Sequence, residues 1–459
     1  MKILKEISKF VIIFILFALV GMTILTIVAK IPTSYVKDNL EGSVEFFKKN
    51  INEITITKEG RFDTYKHPYA DRVILSIIYC LDTDTPLNSI LEAKFYNSFE
   101  TDFSNGSYID MVENNKTGNM EYIRYWHGSI AIIKPLLMFL NINQIYIFNA
   151  ISLGMITLIM LEMLRENKQY SIMIAVIIAL IGISAVYIPV SFEYVWTFYI
   201  MLITSIIAIK IENKKKYKNK NNKLLMLFFI VGMTTCFFDF LTTEIITLLV
   251  PLIIVLSIRI NNKGEWNFKE EVKFIVTAII LWLLGYSLMW IAKWVIAGLV
   301  LHIKPLKYVK DKAMIRINRN TKGIEYLKYG INAIRANLDI LYPLILIQKN
   351  KIVSINTVIN IILITVLGIV VSLLLLNIKN KKKLQYIILI IFLSIIPYGR
   401  YMILASHSYS HNFFTFRSQI ATIMGLILII INGINMNKVK KIGDTNGRKG
   451  TNNTITSIK

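Results

Sequence analysis

The sequence predicts an all-α, polytopic membrane protein of about ten transmembrane helices, with a large helical first outer loop and an interfacial or re-entrant helix. Three observations carry this. Hydrophobic residues fill 54% of the 459 positions and charged residues only 18%, with a positive mean hydropathy, outside the usual soluble balance. Apolar runs of about twenty residues recur along the chain, long enough at ~1.5 Å per residue to cross ~30 Å of hydrocarbon. The lysines cluster between those runs, so the net charge of +23 reads as loops on the cytoplasmic side and not as a nucleic-acid surface.

The first run, 10–29, follows Lys2, Lys5 and Lys9 and ends at Lys30-Ile31-Pro32. No small-x-small cleavage pattern follows it, so 1–30 reads as an uncleaved first span. Residues 31–144 form the predicted extracytoplasmic loop. Within it Val36, Leu40, Val44 and Phe47 recur at helical spacing, and Val73, Leu75, Ile78, Tyr79 and Leu81 do so less regularly. Thr85-Pro86 is a helix start, with proline in the first turn and Thr85 able to cap it. The loop closes on Tyr122-Ile123-Arg124-Tyr125-Trp126-His127-Gly128 and the apolar run 129–140, which Lys134-Pro135 interrupts. About a dozen residues cannot cross the bilayer. That run is therefore expected in the interface or dipping part-way in.

Nine further runs follow, at 145–164, 170–188, 196–211, 224–238, 241–260, 274–301, 352–376, 384–402 and 413–431, giving a bundle over 145–436 and a basic cytoplasmic tail, 437–459. With the N-terminus inside, every inner junction is basic: Arg165 with Lys168, Lys214 to Lys218, Lys263 with Lys269 and Lys273, Lys379 to Lys383, and the tail. Counting 129–140 as a crossing would turn all of these outward. One outer loop, 302–350, is basic despite its side, and it calls for an anionic partner. Glu162 and Glu212 read as caps beside the inner lysines. No internal repeat is evident.

All five histidines, His67, His127, His302, His407 and His411, fall in segments placed outside. Near the outer ends of spans stand Asp239, Glu244, Lys293, Arg400 and Arg417, and charges at such depths normally pair or serve a polar cavity. Lys293 between Trp290 and Trp294 also fits a snorkelling anchor. His407 and His411 share a helix face at i, i+4, but no carboxylate or cysteine lies nearby to complete a metal site. Hydrogen bonding of arginine and histidine to phosphate oxygens suits the set better. Asp38, Asp63, Asp71 and Glu121 are the outer carboxylates; Asp71, beside Arg72 and expected to stay ionised, is the preferred general base, with a helix-start aspartate as the competing reading. Cys80 and Cys236 show no ligand spacing, and no glycine-rich phosphate loop, nucleophile elbow or zinc-protease motif occurs.

One span, a large outer loop with interfacial helices and acidic residues, and then about nine more spans resembles the GT-C superfamily of membrane glycosyltransferases. The phrases Tyr69-Ala70-Asp71, Arg124-Tyr125-Trp126-His127-Gly128, Asp239-Phe240-Leu241-Thr242-Thr243, His407-Ser408-Tyr409 and Phe414-Thr415-Phe416-Arg417 look like those of a group of multi-spanning proteins of Gram-positive bacteria. The GT-C resemblance implies a polyprenyl-phosphate-linked sugar donor reached from the lipid bilayer, a cell-envelope acceptor, and an outer-loop carboxylate acting as base or holding a divalent metal. Carried over, it implies Asp71 as base, with Asp38 as the acid nearest the first span. It also sets Arg124, Trp126, His127, Asp239, Glu244, Lys293, His407, His411 and Arg417 around the donor. The rivals are a transporter or flippase of an anionic lipid-linked substrate, which needs polar groups in the cytoplasmic half, and a non-catalytic envelope scaffold.

Overall fold

The computed structural model describes residues 2–50, 69–98, 107–214, 219–262, 266–304, 310, 314–317, 324–341 and 380–433. Among them the chain is helical, apart from loops and an isolated antiparallel bridge joining Phe95 to Met120. Seven helices are long and apolar enough to cross a membrane. They include α1 (Lys2–Ala29), α7 (Ile142–Glu166), α9 (Val195–Asn213), α10 (Lys220–Phe238), α12 (Phe268–Val300) and α14 (Lys381–Ile403). The seventh, Asn412–Asn432, ends in α16 (Ile420–Gly433). Two shorter apolar helices, α8 (Tyr170–Gly182) and α11 (Ile246–Asn261), complete the described bundle. The expected run 352–376 lies outside the described residues.

Two expected spans are shorter as helices, for local reasons. The run 170–188 stops at Gly182 because Ser184 takes a left-handed conformation (φ 56°) and the chain continues as a 3-10 helix, Ala185–Val190. The run 241–260 loses its first five residues to a turn built on Asp239. α11 is nevertheless the centre of the bundle, since Ile246 to Ile258 are all buried. α1 and α7 lie at the perimeter, with Ile12, Leu16 and Leu19 on one and Ile151 and Leu158 on the other exposed. In a bilayer such faces meet lipid.

Glycine sets the closest helix pairing. Gly232 of α10 lies against the backbone of Trp282 and Tyr286, and Gly285 of α12 lies against Phe229 and Met233 of α10, so each helix presents its small residue to the other's backbone. This is the small-residue seam common in membrane bundles, where close backbone approach supplies the packing.

Between α1 and α7 a layer of short helices covers one end of the bundle: α2 (Lys37–Asn50), α3 (Tyr69–Tyr79), α4 (Pro86–Glu92), α5 (Ser107–Glu113) and α6 (Ile130–Leu136). Thr85 stands at the α4 N-cap as expected, but its hydroxyl donates to Asp82 (2.7 Å) and not to the helix. The seven-residue α6 stays at this end. Its Lys134 ammonium donates to Ala29 O (3.2 Å) at the close of α1, and Asn39 of α2 donates to Leu137 O (2.9 Å). α7 starts from the same layer through a capping box in which Asn141 and Gln144 satisfy each other's backbone N–H. At the same end α13 (Ile324–Leu338) lies over α15 (Ala405–Ser410), with Asn337 donating to Ser408 O (2.9 Å).

At the opposite end Arg259 of α11 gathers three neighbours. It donates to Glu212 of α9 (2.7 Å), Glu271 of α12 (2.8 Å) and Asn221 of α10 (2.7 Å), and its guanidinium lies over Phe274. Glu212, read from the sequence as a cap beside the inner lysines, is thus one arm of a largely buried ion-pair network. Glu162, paired with Arg165 at the surface, keeps that simpler role.

Candidate functional site

The stretch from Tyr122 to Gly128 is a packing node. Trp126 is fully buried and its indole donates to Met289 O (2.7 Å) of α12. Gly128 donates to Phe237 O (2.9 Å) of α10, and any side chain there would overlap that oxygen. His127 adopts a left-handed backbone (φ 55°) with its ring among Tyr122, Tyr125 and Phe240. Burial pushes its pKa down to about 3, so the ring is neutral, and Nε2 stands 2.9 Å from Tyr122 O. Nε2 must carry the proton to meet a carbonyl. His127 therefore has no ionic N–H to offer a phosphate, which corrects the sequence expectation.

Lys293 is corrected likewise. It does not snorkel: its ammonium, fully buried, donates to Leu91 O (3.1 Å) and Ile90 O (3.4 Å) at the carbonyl end of α4. A cation there meets the negative end of the helix dipole, as Lys134 does at the end of α1. Arg124 lies over the rings of Tyr122 and Tyr125 and donates to the Tyr122 hydroxyl (2.8 Å). Arg316, from the basic segment 302–350, donates to the Tyr125 hydroxyl (2.7 Å).

A second node is the turn joining α10 to α11. Asp239 accepts from the N–H groups of Leu241 (2.7 Å) and Thr242 (3.1 Å) and from the Thr242 hydroxyl (2.6 Å), which holds Leu241 at φ 65°. Leu241 O is bound by His407 Nε2 (2.7 Å) and by Arg400 (3.0 Å), whose guanidinium also grips both oxygens of Glu244 (2.8 and 3.1 Å). Asp239, Glu244 and His407, expected around a donor, here fasten the turn itself: Asp239 binds Leu241 and Thr242, Glu244 binds Arg400, and His407 binds Leu241 O. Burial and the nearby Arg400 hold His407 well below its ordinary pKa.

The remaining candidates meet around the short turn that precedes α9. Asp71, in the first turn of α3, is buried, and both its oxygens are occupied: one by the Tyr146 hydroxyl, the other by Phe192 N–H (2.8 Å). Burial pushes its pKa up to about 7, and Arg72, whose guanidinium lies over Phe47, pulls back only weakly. Arg72 therefore does not keep this carboxyl in the ordinary carboxylate range, contrary to the expectation from the sequence. Asp38 stands exposed in the first turn of α2, which fits the helix-start reading and not a site residue.

Next to Phe192 is Glu193, which the sequence reading passed over. It is half-buried, and among the described residues its carboxylate accepts no hydrogen bond. Burial pushes its pKa up to about 8; Asp71 and Asp239 push the same way and Arg417 pulls back, which places all three within electrostatic reach. Tyr194 follows, with the Arg417 guanidinium 4.4 Å from its ring centroid. Arg417 is fully buried and donates to Phe413 O (2.8 Å). Phe414 lies against Tyr194 and stacks on His411, whose ring is 4.7 Å from that of His407. Among the described residues no group of three or more histidines, cysteines or carboxylates converges as a metal would require. The signal for Glu193 is present in the sequence: a lone acid between two aromatic residues, Phe192 and Tyr194, in the short junction between the apolar runs 170–188 and 196–211.

Fold and site together define an all-helical membrane protein with a buried ionisable cluster at one end of its bundle. Comparison with family models finds no match, and the same holds for comparisons with curated proteins and with solved structures.

Proposed function

We propose that this chain is a ten-span bacterial plasma-membrane glycosyltransferase, with both termini in the cytoplasm, that moves a sugar from a polyprenyl-phosphate-linked donor to an extracytoplasmic cell-envelope acceptor. The observation that carries the reading is a buried arginine, Arg417, within electrostatic reach of Glu193, a carboxyl that burial raises toward the neutral range, with Asp71 raised the same way nearby. Arg417, held in place by Tyr194 and Phe413 O, supplies a fixed cation for a phosphate leaving group. The carboxyls beside it supply a proton acceptor for the attacking hydroxyl. The positive-inside pattern of the sequence supports placing this end outside the cell.

The test is transfer in proteoliposomes supplied with a panel of polyprenyl-phosphate-linked sugars and an envelope-derived acceptor, with the glycan composition of a deletion strain as the cellular counterpart. Transfer by the wild type, reduced at least 100-fold by Arg417→Ala, is the expected result. No transfer from any donor, together with unaltered glycans in the deletion strain, would end the proposal.

A second reading, transport of an anionic lipid-linked substrate, draws support from the Arg259 network, which supplies polar groups at the other end of the bundle that the sequence alone did not promise. Under that reading the donor lipid accumulates on the inner leaflet when the gene is deleted.

A further inference from the structure

Resting on the transfer reading, we infer that Glu193, and not Asp71, is the group that accepts the acceptor's proton, while Asp71 positions the turn that carries it. The geometry separates the two carboxyls. Asp71 is only 1% exposed, and each of its oxygens accepts a hydrogen bond, from Tyr146 or from Phe192, that ties α3 to α7 or to the 189–194 turn. Glu193 has no such bond among the described residues, keeps part of its surface open, and stands one residue from the Tyr194 ring on which Arg417 rests. Its backbone N–H is held by Ser191 Oγ (3.2 Å), and the preceding N–H by Asp71, so the turn is fixed while the carboxylate is free to receive a partner.

The charged and titratable groups around it come from every neighbouring element. Asp71 and Tyr69 are on α3, Asp239 is in the α10–α11 turn, Arg417 leads into α16, and Tyr194 is its own neighbour. Burial, and after it repulsion from Asp71 and Asp239, outweigh the pull of Arg417 and raise Glu193 toward the range in which a base works at physiological pH. In the step itself the acceptor O–H bond breaks and its proton passes to the Glu193 carboxylate. The acceptor oxygen bonds to the sugar's anomeric carbon, and the bond from that carbon to the phosphate oxygen breaks, leaving the electron pair on a phosphate held by Arg417.

Wild type, Glu193→Gln, Glu193→Asp and Asp71→Asn are compared in proteoliposomes for transfer against pH, for binding of a polyprenyl monophosphate, and for melting temperature. Glu193→Gln is expected to bind the lipid phosphate within twofold of wild type and lose transfer by about 100-fold or more, with no remaining dependence on the ionisation of this group. Glu193→Asp keeps a reduced, pH-dependent rate. Asp71→Asn retains an acceptor for Phe192 N–H and removes a negative neighbour, so its rise of activity with pH moves to lower pH, a change that a purely structural role would not produce. Transfer in Glu193→Gln within threefold of wild type overturns the assignment and leaves the transfer reading standing. Should Glu193→Gln not fold, an unchanged pH profile in both Glu193→Asp and Asp71→Asn overturns it equally. A wild type that neither transfers nor binds the lipid phosphate overturns the transfer reading and takes this inference with it.

Discussion

Replacing Arg400 tests how the α10–α11 turn is held. The guanidinium makes five hydrogen bonds: two to Glu244, one each to Leu241 O and Thr242 O, and one to Ser408 Oγ (3.2 Å). Both members of the pair are only 6% exposed, so Arg400→Met leaves a buried carboxylate with no cation beside it. Removing one partner of such a pair costs about 3–5 kcal/mol, whereas replacing both by apolar groups of similar volume costs far less. Arg400→Met and Glu244→Leu should each destabilise by roughly that amount, and the double variant should fall well short of their sum, a coupling of about 2–3 kcal/mol. The assay is unfolding in mixed micelles by titration with a denaturing detergent, followed by tryptophan fluorescence, for wild type, both singles and the double. Single variants within about 1 kcal/mol of wild type, or effects that add, would refute the view that this pair fastens the turn.

Gly232→Ala would place a methyl group against Trp282 C (2.9 Å) and Tyr286 N (3.0 Å) and closer still to Trp282 O, all backbone atoms that cannot swing aside, so α10 and α12 must part at a cost of about 3 kcal/mol. Gly154→Ala in α7, where nothing lies within 4 Å, should be neutral or gain roughly 0.5–1 kcal/mol from helix propensity; equal melting of the two variants would count against the seam. Trp126→Phe removes the indole donor that Met289 O accepts in addition to its place in the α12 ladder and should cost about 1 kcal/mol, read from the same micelle titration. Stability should also respond to pH. The Glu193 carboxyl goes from an ordinary 4.5 to about 8 on folding, so its contribution is complete below about 4.5 and is lost as pH rises through about 8; Asp71 and Asp239, from 3.8 to about 7, act with the same sign. His127, moved from 6.5 to about 3, contributes above 6.5 and loses that contribution as pH falls through about 3. Melting temperature measured against pH should therefore decline on the alkaline side, and Glu193→Gln should flatten that decline; an unchanged slope would contradict the burial of this group.

The apolar runs were legible because hydrocarbon demands about twenty residues of one character, a local property. Where they misled, a backbone detail intervened, such as the left-handed Ser184 that ends α8 or the Asp239 turn that delays α11. The site was legible as a set of ionisable residues and not as a set of partners. Lys293 finds Ile90 and Leu91, Arg400 finds Leu241, and Asp71 finds Phe192, all through backbone groups remote in sequence, where residue type carries no signal. Backbone amides and carbonyls look alike at every position, so a reading by residue identity favoured side chain to ligand over side chain to main chain. Glu193 was missed for the complementary reason: it has no charged neighbour in sequence to draw attention.

The lysine at position 293 bears on the order of assembly. Its ammonium reaches the end of α4 across 202 residues of chain, so while the protein is being made the covering layer waits, its helix ends open, until the twelfth helix is threaded. A chain cut short before that helix would carry α4 without its clasp, and membrane quality control would meet a lid that cannot latch.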